Sequence, residues 1–138
     1  MNQIEELSKL LVEFYEKFSS WEHGVVRGET LTLSQMHTVE ILSSQGALKM
    51  KELAEKMGIT TGTLTVLVDR LEDAGMVERK PHETDRRSIR VLLTEKGLAH
   101  AKEHHKLHNR LTQELISDMS PEEMEGLTRC LRKMLANF

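Results

Sequence analysis

One cysteine, two prolines, few aromatic residues and no long apolar run mark this chain of 138 residues. With Cys130 alone, no disulfide can close within it, and a reducing, cytoplasmic setting is expected. Cys130 falls on an amphipathic C-terminal stretch, where a buried, inert thiol is expected. Aromatics make up 4% of residues, so the eight methionines are expected to fill core space that Phe would otherwise take. No apolar run approaches the ~18 residues of a membrane span. Met1–Leu10 carries Glu5, Glu6 and Lys9 and lacks a signal-peptide pattern. An excess of positive charge is missing too: the net charge is −3, which at first argues against a nucleic-acid partner.

What is present is an ordinary balance for a single folded domain, 38% hydrophobic and 30% charged, without repeats or low-complexity stretches. Its charge is segregated. Residues 1–30 hold three basic and six acidic side chains, whereas residues 76–92 hold five basic (Arg79, Lys80, Arg86, Arg87, Arg90) against three acidic, and residues 93–111 four against two. Binding of a polyanion answers to the local field rather than to the global sum.

Apolar residues at Ile4, Leu7, Leu10, Leu11, Phe14, Phe18 and Trp21 keep the three-and-four spacing of an amphipathic helix over 3–22, with Gly24 and Gly28 as its stop. Ser34 is the expected N-cap of a second helix reaching Ser44, closed by Gly46. A short helix over 51–57 and a longer one over 61–74, capped by Thr60, flank a tight Gly58-Ile59 turn, a helix-turn-helix arrangement. Residues 76–80 and 89–93 read as two strands around a polar hairpin loop, 81–88. Thr94 caps a long helix over 95–118, and Ser120-Pro121-Glu122-Glu123 is a capping box opening a last helix to Leu135.

Leu53-Ala54, Gly62, Asp69-Arg70-Leu71-Glu72, Gly75-Met76-Val77-Glu78-Arg79, Asp85-Arg86-Arg87 and Leu93-Thr94-Glu95-Lys96-Gly97 occur in that order and spacing. Each is weak alone; together they resemble the MarR (multiple-antibiotic-resistance regulator) family, clearly over residues 31–100. The resemblance implies a mainly α fold with a small β-hairpin: a winged helix-turn-helix, residues 31–93, inside one domain whose flanking helices, 1–30 and 95–138, dimerise the chain. It implies a transcriptional regulator, a repressor by expectation, that binds double-stranded DNA at a pseudo-palindromic operator as a homodimer and answers to a small-molecule or metal effector.

A recognition helix presents its N-terminal residues to base edges in the major groove. Here that turn reads Thr60-Thr61-Gly62-Thr63, then Thr65. Threonines allow close approach, exchange hydrogen bonds and offer methyls to thymine. Capping and base contact compete at Thr60; Thr61, Thr63 and Thr65 are assigned to DNA, and Gly62 to close approach of a phosphate. By resemblance, Arg86 and Arg87 sit on the wing, one paired with Asp85 to hold the loop and the other in the minor groove. Lys80, His82 and Arg90 are expected phosphate contacts, and Glu83 is expected to be solvated.

Seven histidines include four within nine residues: His100, His104, His105 and His108. His104 and His108, four apart, share one helix face at a spacing that can hold one zinc ion. Resemblance to the zinc-responsive adhesin-competence branch implies a metal site of Glu22, His37, His104 and His108. That branch's second site needs a further Glu and a Cys, but Met36 stands at the Glu position and no cysteine lies near residue 30. The fatty-acid-synthesis repressor branch shares the Met36-His37 pattern and the His pair, and its effector is an acyl chain rather than zinc. Zinc is therefore a possible effector and not a required cofactor.

Catalysis is rejected. A metal hydrolase needs an open coordination position and a general base. Glu103 points away from its neighbour His104, and no His-Glu-x-x-His motif, phosphate loop or nucleophile elbow occurs. A helical protein-binding adaptor would leave the threonine-fronted helix and the arginine-bearing hairpin without a purpose.

Overall fold

The computed structural model describes every residue except Met1, Gly28, Glu83 and Arg86. Its elements run α1 (Gln3–Val26), α2 (Leu33–Gln45), β1 (Leu48–Lys49), α3 (Met50–Met57), α4 (Thr61–Asp73), β2 (Val77–Pro81), β3 (Ile89–Leu93), α5 (Glu95–Leu115) and α6 (Pro121–Ala136). The chain divides into two compact units, Met1–Ala101 and Lys102–Phe138. The fold is mostly helical with one small antiparallel sheet, ordered β1-β3-β2.

Local chemistry sets the helix ends. α2 starts at Thr32 rather than Ser34: Thr32 Oγ1 accepts the Gln35 N–H, and Gln35 Oε1 accepts the Thr32 N–H at 2.9 Å. Ser34 has His37 three residues on and no such reciprocal partner, and Leu31 and Met36, both buried, staple the helix start at Thr32. α1 runs past Gly24 because Val26 packs against the core, and that contact outweighs the roughly 1 kcal/mol that an interior glycine costs. Gly28, the second expected stop, lies outside the described residues.

Gly58, at φ +68°, takes the left-handed conformation that closes α3, with the Ile59 N–H donating to the Ala54 carbonyl. This is the turn between the two helices of the reading motif. β1, which the sequence reading did not contain, pairs Leu48 with Val91 and Lys49 with Arg90 on β3.

The core lies in the first unit. Val39 of α2, Leu53 of α3, Leu64, Val68 and Leu71 of α4, and Val77 and Val91 of the sheet are all at most 2% exposed. Each such side chain contributes about 1.5–3 kcal/mol by burial, far more than one surface contact, so these residues hold α4 against the sheet. The start of α5 is fixed to the end of α4. Thr94 Oγ1 donates to the Gly75 carbonyl, Lys96 Nζ donates to the Ala74 carbonyl at 2.9 Å, and a Cβ at Gly97 would overlap the Met76 carbonyl.

α1 buries none of its residues and leaves Ile4, Leu7, Leu10, Leu11, Phe14 and Tyr15 exposed. In the second unit α6 likewise buries none and exposes Met124, Leu127, Leu131 and Leu135. Cys130 is exposed, contrary to the buried thiol expected, because no described residue of α6 is buried.

Candidate nucleic-acid interface

The head of α4 is a cluster of hydroxyls around a bare Cα. Thr60 is the N-cap: its Oγ1 accepts the Thr63 N–H at 3.2 Å and donates to Thr63 Oγ1 at 3.0 Å. Thr65 Oγ1 donates to the Thr61 carbonyl at 2.8 Å. All four threonines are exposed. Gly62 has only Thr60 Oγ1, at 3.9 Å, near the place a Cβ would occupy. Nothing described in the chain requires a glycine there, although alanine would favour the helix. The free space faces outward.

Beside α4 stands the β2–β3 hairpin. Asp85 shapes its loop through the main chain: Oδ1 accepts the Arg87 N–H at 3.0 Å, and the Asp85 carbonyl accepts the Ser88 N–H at 3.0 Å. Arg87 itself is exposed. Arg86, assigned with it to the wing, lies outside the described residues, as does Glu83. His82 is tied into the hairpin, its N–H to the Ser88 carbonyl at 2.7 Å and its Nδ1 accepting the Thr84 N–H. Lys80 Nζ lies 3.3 Å from Glu78 Oε1.

The sheet register adds a feature absent from the sequence reading. Arg90 on β3 pairs with Lys80 on β2 and with Lys49 on β1, so three cations form one row across the sheet. Like charges directly opposite one another destabilise a sheet, and such a row suits an anionic surface. Lys49 could not be found in advance because β1 is only two residues long. Arg70 of α4, also unassigned from sequence, lines a cleft of about 500 Å³ with Thr32 and Ser34 at the start of α2.

Arg79, counted among the hairpin cations, is committed elsewhere. Its Nη2 donates to Asp69 Oδ1 at 2.7 Å and its Nη1 to Glu72 Oε1 at 3.1 Å, joining β2 to α4.

The residues proposed as metal ligands fall into two couples. In the first unit His37 Nε2 lies 2.9 Å from Glu22 Oε2, linking α2 to α1. In the second unit the Nε2 atoms of His104 and His108 are 3.0 Å apart, with ring centroids 4.7 Å apart. Glu103, the one carboxylate weighed as a general base, is held below the usual carboxylate range by its hydrogen bond to Lys106, then by the charges of Lys106 and Lys102. A general base working near neutrality needs the opposite shift.

A hydroxyl-fronted helix of a helix-turn-helix, flanked by a cationic β-hairpin, defines a winged-helix DNA-binding protein. The MarR family profile matches residues 31–89. A solved MarR family protein from Bacillus stearothermophilus is 30% identical, superposes with a TM-score of 0.90, and the match covers 99% of this chain and 97% of that one. The chain is a member of the MarR family of transcriptional regulators, and its relatives are regulators rather than enzymes. The HTH-type transcriptional regulator YfiV of Bacillus subtilis is 41% identical over 103 residues, a match covering 70% of this chain and 61% of that protein's length. Streptococcus pneumoniae FabT, solved in complex with DNA, shares the fold at 23% identity, with a TM-score of 0.84 over 97% and 96% of the two chains. Among the described residues no helix is long and apolar enough to cross a membrane.

Proposed function

We propose that the protein is a repressor that binds a pseudo-palindromic operator as a homodimer and releases it in response to a small ligand or metal ion. The observation that carries the DNA-reading part is the head of α4, where exposed threonines surround a glycine that no described neighbour requires. Thr61, Gly62, Thr63 and Thr65 then meet base edges and the adjoining backbone, while Arg87 and the row of Lys49, Arg90 and Lys80 meet the flanking groove and phosphates.

The exposed apolar faces of α1 and α6 support dimerisation, because each helix leaves several large apolar side chains open to water that an interface would cover. A two-fold axis would set the two recognition helices on half-sites about 34–36 Å apart. For the effector, the chemistry of the imidazole couple fits zinc: two Nε2 atoms on successive turns of one helix are borderline-soft donors close enough to share an ion. Bound there, zinc would supply charge and cross-linking, and not a reaction. The alternative effector of the family resemblance, an acyl chain, is an outcome of the same test.

Selection from a randomised duplex pool, followed by titration across salt and with or without chelator, tests the proposal. An inverted-repeat consensus and steeply salt-dependent binding are expected. No selected sequence, or affinity indifferent to salt, would overturn it.

A further inference from the structure

α4 carries Asp69, Glu72 and Asp73 against the single cation Arg70, an unfavourable balance for a helix entering the grooves of a polyanion. Two of the three carboxylates lie on the reading strip itself. Thr61, Thr65 and Asp69 follow one another at four-residue steps on one face, and Glu72 lies on that face three residues beyond Asp69. These are the two carboxylates that Arg79 engages, through separate guanidinium nitrogens.

The bonds contribute little to folding. Asp69 and Glu72 side chains are 57% and 43% exposed, and ion pairs so open to water are nearly neutral for stability. Their effect on an approaching phosphate is different, because like-charge contact at a binding surface is strongly disfavoured. We infer that Arg79 is a positioning residue for DNA binding: it neutralises Asp69 and Glu72 and ties β2 to α4, so that the threonine strip and the hairpin reach the duplex together. The inference rests on the DNA-reading proposal above. It assigns Arg79 no contact with DNA.

The test uses the full chain and a duplex that the wild type selects from a randomised pool. Arg79→Met should weaken binding about tenfold or more by exposing two carboxylates to phosphate. Adding Asp69→Asn and Glu72→Gln to Arg79→Met should restore affinity to within about threefold of wild type, since the neutral trio again presents no charge. Arg79→Lys should retain most of the affinity. Thermal melts of each variant correct for the folded fraction.

A triple variant as weak as Arg79→Met would overturn the inference and place Arg79 on the DNA or in the scaffold, as would Arg79→Met with undiminished affinity. A wild type that selects no duplex would overturn the DNA reading and this inference with it; wild-type binding with an unrescued Arg79→Met overturns the inference alone.

Discussion

The hydroxyl of Thr65 donates to the carbonyl of Thr61, 2.8 Å away on the preceding turn of α4. That bond occupies its only proton and leaves lone pairs and a methyl for an external partner. Thr65→Ser, which keeps the bond and loses the methyl, should cost more affinity on thymine-containing sites than Thr65→Val, which keeps the shape. Anisotropy titrations on paired A·T and G·C variants of the selected site measure the difference; equal losses for both substitutions would contradict it.

Gly62→Ala separates folding from binding. The helix should gain about 0.5–1 kcal/mol in stability from the better helix former, while DNA affinity falls by about tenfold, near 1.4 kcal/mol. Calorimetry and operator titration on one preparation give both values. A variant more stable and equally tight would show that the space over Gly62 serves no ligand.

Cations on the hairpin and sheet should be visible in salt dependence. Arg87→Gln and Lys49→Gln should each lower the slope of log affinity against log salt by about one, as expected when one fewer phosphate is neutralised. A slope unchanged in Lys49→Gln would remove the three-cation row from the interface.

Charge placed on the exposed apolar faces should abolish pairing. Leu11→Glu or Leu131→Glu is expected to convert a dimer into a folded monomer and to remove operator binding along with it. Sedimentation at micromolar concentration distinguishes this from unfolding, and a wild type sedimenting as a monomer would sink the dimer proposal.

Zinc should shift operator affinity in wild type, and His104→Ala with His108→Ala should erase the shift. If the double variant still responds, the couple is structural. If acyl ligands act and zinc does not, the acyl reading replaces it.

Much of this arrangement was legible in the sequence. β3 is found at residues 89–93 as its alternation indicates, and α4 starts at Thr61 behind its Thr60 cap. Where prediction and structure part, tertiary contacts or reciprocal bonds decided. Val26 carried α1 past Gly24, Gln35 moved the α2 cap from Ser34 to Thr32, and pairing with β3 created β1 from two residues that have no periodicity to read. The row of Lys49, Arg90 and Lys80 depends on strand register, and the Arg79 bridge joins residues seven and ten apart, so neither shows in local spacing.

The bare Cα of Gly97 against the Met76 carbonyl, with Thr94 and Lys96 bonded to the last carbonyls around α4, leaves no slack between the two helices at that corner. The front of α5 and the rear of α4 are fitted like a mortise and tenon: any side chain at position 97 must push the two apart.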